Sequence, residues 1–305
     1  MELRHLRYFI AVADEQNFSR AAERLHISQP PLSRQIQQLE EDLGVSLFER
    51  GSRPLKLTDA GRFLYGHAQQ FLAQSVELKS MTRRVGQLDR SLSIGFVAST
   101  LYGIMPRLIR RFRAQHPEVT MGLHEMTTME QIQALKDGRI DVGFGRIRYE
   151  DANVRRIILR DEPLIAALAV DHPLAHIPEL TLRNLQSETL IVYPQTPRPS
   201  FADQVLATFH DRALEPRKVM EVRELQVALG LVAAGEGITL VPQCLHSLKR
   251  QDVIYKTLHE QHLVSPIIMS TRLLDESEDI KTLLQMIYTL YEEEGIAYQK
   301  PAPMD

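Results

Sequence analysis

The chain is poor in the residues that covalent or metal chemistry needs. One cysteine, Cys244, stands among 305 residues, which excludes an internal disulfide and a cysteine-built zinc cluster and fits a reducing compartment. Nothing around it suggests an accessible, electropositive redox thiol, so a small buried hydrophobe is expected there. The longest apolar run, at 229–241, is broken by Gly235, Glu236 and Gly237, so no membrane span is expected. Residues 1–7 begin charged and carry no apolar core of an export signal; a cytoplasmic protein is therefore expected. The histidines are scattered, and His172 ahead of Pro173 reads as a loop residue. No His-Glu-x-x-His pattern and no phosphate loop occurs, so neither an enzyme nor a cofactor or metal is expected. There is also little net charge. At −3, any grip on a polyanion must come from local basic groups rather than a global positive field.

What is there is an ordinary globular composition, 44% hydrophobic and 25% charged, in a chain long enough for two or three compact units. No internal repeat or low-complexity tract breaks it. Residues 1–58 are rich in helical signals. Leu3, Leu6, Phe9, Ile10 and Ala13 recur at helical spacing and give a first helix one buried stripe. Asn17 or Ser19 can cap a second helix, 20–25, in which Ala21 and Ala22 allow close helix approach. A tight turn, 26–28, follows. Ser28 is placed as the next N-cap, with Pro30 and Pro31 in the first turn, where missing amide hydrogens cost nothing.

In that third helix Leu32, Ile36, Leu39 and Leu43 form the expected buried face. Gln29, Pro30, Ser33, Arg34 and Gln37 lie opposite, where a helix-turn-helix enters the major groove. Arginine can reach guanine, glutamine adenine, and serine a base edge or a phosphate. The acidic run 40–42 falls at the far end of the helix. Residues 47–58 read as a hairpin wing carrying Arg50, Arg53 and Lys56 for phosphates or a minor groove. The bland alternative is a small three-helix bundle with a solvated polar face.

The run 18–36, with Leu39-Glu40, Leu43-Gly44 and the stretch 57–61, resembles the signature of the LysR-type transcriptional regulators. The resemblance implies an α/β protein in three parts: a winged helix-turn-helix over 1–58, a long linker dimerisation helix over 59–90, and a two-lobed, periplasmic-binding-protein-like effector domain over 91–305. Its lobes would span about 91–161 with 267–305, and about 162–266. The linker reads as helix on its own residues. Thr58 and Asp59 cap it, and Ala60, Phe63, Leu64, His67, Phe71, Leu72, Leu78 and Met81 line one side. A helix of about 25 residues would reach near 38 Å, too long for a small winged unit to cover. It pairs either with a copy of itself or with its own chain. The family uses this helix to dimerise, and its dimers pair into tetramers on DNA.

From residue 91 the texture changes to short aliphatic runs alternating with amphipathic helices, which predicts βαβ units and largely parallel sheets. Strands are expected at 92–97, 119–126, 140–144, 164–170, 190–193, 218–222 and 238–241. Helices are expected at 101–114, 129–136, 201–210, 225–234 and 280–293. A polar residue repeatedly precedes a helix: Ser99 and Thr100, Thr127 and Thr128, Pro199 and Ser200, Arg223 and Glu224. Each alone is ordinary capping. Together, at the carboxyl ends of strands, they predict an anion-binding crevice, with Arg146 placed to add a charge.

Segments 101–106, 130–141, 143–146 and 229–237 look like the family's muconate-responsive group, which regulates catechol and benzoate degradation. That likeness implies that Ser99, Thr128, Pro199, Ser200 and Phe201 line a pocket for cis,cis-muconate, a small dicarboxylate. It also implies a second, benzoate-type site at Arg160 and Tyr291, although an arginine beside Glu162 can simply be paired. Ala98, Thr100 and Thr127 depart from the group's pattern. The implied protein is an activator that binds double-stranded operator DNA, assembles as a homodimer or homotetramer, and engages RNA polymerase. Another small carboxylate, such as benzoate or a chloromuconate, is the alternative ligand. A cytoplasmic solute-binding protein and a purely architectural DNA binder are the readings from other classes.

Overall fold

The computed structural model describes residues 1–49, 51–52, 54–85, 90–260 and 262–298. The chain divides into two compact units, Met1–Gly86 and Gln87–Asp305. In the first, α1 (Leu3–Glu15), α2 (Phe18–Arg24) and α3 (Gln29–Leu43) pack around Phe9, Val12, Ala21, Leu32, Ile36 and Leu39. Asn17 starts α2, accepting from the amides of Ser19 and Arg20 at 2.8 and 3.2 Å. Ser28 stands at the N-cap of α3, but its side chain makes no capping bond. The buried stripes are narrower than the spacing predicts, since Leu3 and Leu43 are exposed at the helix ends.

The wing is minimal. Phe48 bridges Leu57, and the Glu49 amide donates to the Lys56 carbonyl at 2.9 Å. Glu40, at the start of the acidic run, holds the wing: its Oε1 accepts from the amides of Leu47 and Phe48 at 2.6 and 3.3 Å. The next helix, α4 (Asp59–Val85), runs 27 residues, or roughly 40 Å. The Thr58 hydroxyl accepts from the Gly61 amide at 3.0 Å and donates to the Ser46 carbonyl at 2.7 Å, which anchors α4 to the wing. Phe63, Phe71 and Leu78 are 71%, 53% and 67% exposed, whereas Ala60 and Leu64 pack on the core of the first unit and Leu72 is half-buried, so part of the expected apolar stripe of α4 lies bare. The side chain of Met81 falls outside the described residues.

The second unit is built on β1 (Ser91–Phe96), α5 (Met105–Gln115), β2 (Thr120–Glu125), α6 (Thr128–Lys136), β3 (Val142–Gly145), β4 (Val154–Ala169) and α7 (Leu182–Leu185). It continues with β5 (Thr189–Val192), α8 (Phe201–His210), β6 (Lys218–Glu221), α9 (Leu225–Ala233), β7 (Thr239–Pro242), β8 (Val253–Thr257), β9 (Val264–Arg272) and α10 (Glu278–Glu293). One core gathers Ile94, Leu108, Phe112, Phe144, Ile287 and Tyr291, and another Leu168, Ile191, Val205, Phe209, Leu229 and Val241. Two lobes result, joined by strands that serve both. Residues 154–163 of β4 pair with β9, whereas 164–169 pair with β7 and β8.

The sheet is mixed, which corrects the expectation of largely parallel sheets. β1 is parallel to β2 and β3, but β9 is antiparallel to β3 and β4, and β4 is antiparallel to β7 and β8. The first half of β4, β8 and β9 escape the sequence pattern for physical reasons. Arg155 and Arg156 break the alternation of β4, yet they donate to the carbonyls of Leu273 and Ile147. Pro266, Ser265, Ser270 and Thr271 disguise β9 as a turn although it is buried. The helix expected at 101–114 divides into a 3-10 turn, Ala98–Tyr102, and α5. Among the described residues no helix is long and apolar enough to cross a membrane.

A Cβ on Gly61 would lie 2.1 Å from the Leu47 carbonyl oxygen, so α4 can dock on the wing only through a glycine. Gly61→Ala is expected to lower stability by about 1–3 kcal/mol, read as a shift in urea midpoint. An unchanged midpoint would mean that the wing moves aside freely.

Candidate functional site

On the first unit α3 presents Gln29, Pro30, Arg34 and Gln37 to solvent, with Ser33 half-buried. The Gln29 amide donates to Ser33 Oγ at 3.4 Å. Arg34 and Gln37 make no side-chain bond among the described residues, so both are free to reach outward from the helix. Arg50 and Arg53 lie outside the described residues. Lys56 on the wing is exposed.

In the second unit a cleft of about 640 Å³ opens between the lobes, within the range of small-ligand sites. Ser99, Thr128, Arg146, Pro199, Ser200 and Phe201 line it together, from four separate segments. Thr100 does not reach it. Because 98–102 is a tight 3-10 turn rather than a helix start, Thr100 turns inward, its hydroxyl donating to the Val97 carbonyl at 2.8 Å.

The N-termini of α6, α8 and α9 line the cleft. Thr127, rather than Thr128, caps α6, forming a reciprocal box with Glu130. This leaves Thr128 in the first turn, buried, with its Oγ1 accepting weakly from the Arg146 amide at 3.4 Å. Gly145 makes room for it: a Cβ there would lie 2.6 Å from Thr128 Oγ1. Ser200 caps α8 in the same way with Asp203, and its hydroxyl also donates to the Pro194 carbonyl at 2.9 Å. The Ser200 hydroxyl is thus spent on the protein. The Ala202 amide donates to Ser200 Oγ at 3.2 Å and the Asp203 amide to the Ser200 carbonyl at 3.1 Å, so what α8 offers a ligand is the start of its first turn at Phe201 and the positive end of its dipole. Arg223, Glu224 and Glu125 also line the cleft and are exposed.

Arg146 carries the buried charge. It is 3% exposed, donates from Nε to Ser99 Oγ at 2.8 Å, and pairs through Nη2 with Glu162 Oε2 at 2.6 Å. Glu162 also accepts from Arg160 at 3.0 Å and from the Cys244 amide at 2.9 Å. Burial works to raise the Glu162 pKa, but Arg146 and Arg160 outweigh it and hold the carboxyl below its ordinary value. Burial and then Glu162 push the Cys244 thiol up to about 12. Cys244 is therefore an unreactive thiol at neutral pH. Its side chain packs half-buried against the second core, less deeply than the buried hydrophobe expected, and its backbone amide orients Glu162.

Behind Arg146 a small cavity of about 20 Å³ is enclosed by Thr100, Leu159, Arg160, Cys244 and Tyr291 among others. That is room for about one water. The Arg160 guanidinium sits 5.7 Å from the Tyr291 ring centroid. Arg160 and Tyr291 are brought together as expected, and Arg160 is indeed paired with Glu162. Arg146 lines both spaces. Tyr193 and Gln226 also line the cleft, and neither carries a sequence signal, since neither lies in a motif or at a capping position. Among the described residues no group of acidic, histidine and cysteine side chains could hold a metal.

Residues 3–62 match the bacterial regulatory helix-turn-helix proteins of the lysR family, and residues 86–290 match the LysR substrate binding domain. The transcriptional regulator BenM of Acinetobacter baylyi is 46% identical over 97% of this chain and 98% of its own. The regulator CatR of Pseudomonas putida is 50% identical over 94% of this chain and 98% of its own. The solved effector binding domain of BenM with its effector benzoate superposes with a TM-score of 0.67 at 40% identity. It covers 70% of this chain and 97% of that one.

Because the folded Glu162 carboxyl titrates below the ordinary glutamate value near 4.5, its stabilising contribution is complete above that pH and fades as pH falls through the lower folded value. Glu162→Gln should cost on the order of 3–5 kcal/mol at pH 7. The difference from the parent should shrink progressively below about pH 4.5. Chemical denaturation across pH 3–8 checks both, and a pH-independent gap would refute the assignment.

Proposed function

The chain belongs to the LysR family of transcriptional regulators, and we propose that it answers to cis,cis-muconate or a closely similar small dicarboxylate bound between its effector lobes. The carrying observation is the convergence of Arg146, Thr128 and the α8 N-terminus on one cleft. A carboxylate near α6 and α8 would take first-turn amide hydrogens and the positive dipole ends. Phe201 offers an apolar face to the carbon chain between the two anionic ends. The likeness to BenM and CatR supports a place in aromatic catabolism.

The proposed division of labour follows the family. Residues 1–58 read the operator through Gln29, Pro30, Ser33, Arg34 and Gln37, with Arg50 and Arg53 on the wing. Residues 59–90 dimerise, and residues 91–305 sense the ligand. The bare stripe of Phe63, Phe71 and Leu78 supports a homodimer through α4, and dimers pair into homotetramers. The regulator works in the cytoplasm as an activator. Inducer shifts the population of lobe arrangements, relaxes the DNA bend and lets RNA polymerase engage.

Benzoate at Arg160 and Tyr291 is a second reading, favoured by the benzoate-bound BenM domain. An aromatic carboxylate there must widen a space of about 20 Å³ and compete with Glu162 for Arg160. The cleft needs no such opening.

Muconate at a hundredfold excess over its Kd adds about 2.7 kcal/mol to the stability of the domain it binds. It should therefore raise the effector transition by roughly 5 °C. No shift at millimolar ligand would remove the ligand assignment. Arg34→Ala should abolish operator binding in a mobility-shift assay while leaving the melting curve and the muconate response intact. Retained binding by that variant would take the α3 face out of the interface.

A further inference from the structure

Arg146 Nη1 and Tyr193 Oη are both buried and without a hydrogen-bond partner among the described residues, and both residues line the cleft. Tyr193 follows β5, is 7% exposed, and sets its ring 5.3 Å from that of Phe201. A buried hydroxyl with no acceptor costs free energy that no surrounding protein group returns. The same holds for the unpaired guanidinium N–H of Arg146, more so because it is charged. Two unused donors on residues that line one ligand-sized cleft point to an acceptor that the protein itself does not supply.

We propose that Tyr193 is a specificity-determining residue, its Oη donating to an anionic oxygen of the cleft ligand whose charge Arg146 neutralises. The assignment rests on the carboxylate reading of the cleft. Burial pushes the phenol pKa upward, only partly opposed by the Arg146 charge, so the group is a neutral donor at physiological pH. A carboxylate suits this pair, because one of its oxygens can accept from both residues while the other accepts elsewhere. An amine or an apolar group would leave both donors unpaired. The ring contact with Phe201 gives the same residue a second task, flanking a flat unsaturated chain. Tyr255 Oη is also buried and unpartnered, but Tyr255 does not line the cleft. It therefore serves as an internal control.

The test is isothermal calorimetry of the full chain with cis,cis-muconate, which needs no optical reporter in a protein with 0 tryptophans. Tyr193→Phe should weaken binding about tenfold, and its ligand-free melting temperature should be unchanged or higher. Tyr255→Phe should bind as the parent does. Equal affinity in Tyr193→Phe and parent would overturn the role of Tyr193 while leaving the cleft assignment standing. An equal loss in Tyr255→Phe, or a lowered ligand-free melting temperature in Tyr193→Phe, would also overturn it, since the hydroxyl would then serve the fold. No binding by the parent would overturn the cleft assignment itself and the role of Tyr193 with it.

Discussion

The effector domain depends on one buried carboxylate. Glu162 is 1% exposed, stands where β4 passes from pairing with β9 to pairing with β7 and β8, and takes hydrogen bonds from Arg146, Arg160 and Cys244. A buried ion pair of this kind is weak evidence of stability, because desolvation consumes much of the attraction. Its value lies in placement. By accepting from Arg146 Nη2 on one side and the Cys244 amide on the other, Glu162 fixes a guanidinium in the wall of the cleft. Ser99 takes Nε, and Nη1 has no partner among the described residues. Without Glu162 the same arginine would be an uncompensated buried charge with no fixed direction.

Around that fixed charge, the helix ends supply the rest of the cleft, and their capping decides what each can offer. In α6 and α8 the capping boxes consume the side chains of Thr127 and Ser200. The positive ends of the helix dipoles remain and carry no net charge of their own, so they add positive potential beside Arg146 and Arg223 without adding a further cation. This resolves an apparent conflict, since Glu125 and Glu224 also line the cleft. They are exposed and screened by solvent, whereas the Arg146 charge is buried and acts at closer to full strength.

Legibility in the sequence followed the range of the interactions. The winged helix-turn-helix was readable because its signals are local: a cap at Asn17, prolines in the first turn of α3, and an apolar stripe at helical spacing. The cleft was readable for the same reason, since capping residues announce helix starts, and Ser99, Thr128, Arg146, Pro199, Ser200 and Phe201 all line it. What failed was non-local. Residues 154–163 look too charged for a central strand until their arginines are seen to end on carbonyls from other segments. Thr100 was misplaced because a 3-10 turn and an α-helix begin with similar residues. Tyr193 could not be found, because an unpartnered hydroxyl is a property of its surroundings rather than of the chain. The role of Glu40 was hidden for a like reason, its partners Leu47 and Phe48 lying in the wing.

The low net charge sets how the two units must cooperate. A chain at −3 has no long-range attraction for DNA, so affinity has to come from a few short-range contacts on α3 and the wing. One such face neutralises few phosphates and gives a weak, salt-sensitive grip. Two faces held on one scaffold bind as an intramolecular pair, and the second contact then enjoys an effective concentration set by the scaffold rather than by the solution. The bare apolar stripe on α4 is the feature that can build such a scaffold, and it is attached to the wing rigidly, through Thr58 and the close approach at Gly61. Binding strength then depends on the spacing between the two reading helices. A ligand that alters how effector domains pack can change operator contacts without touching the DNA-binding unit.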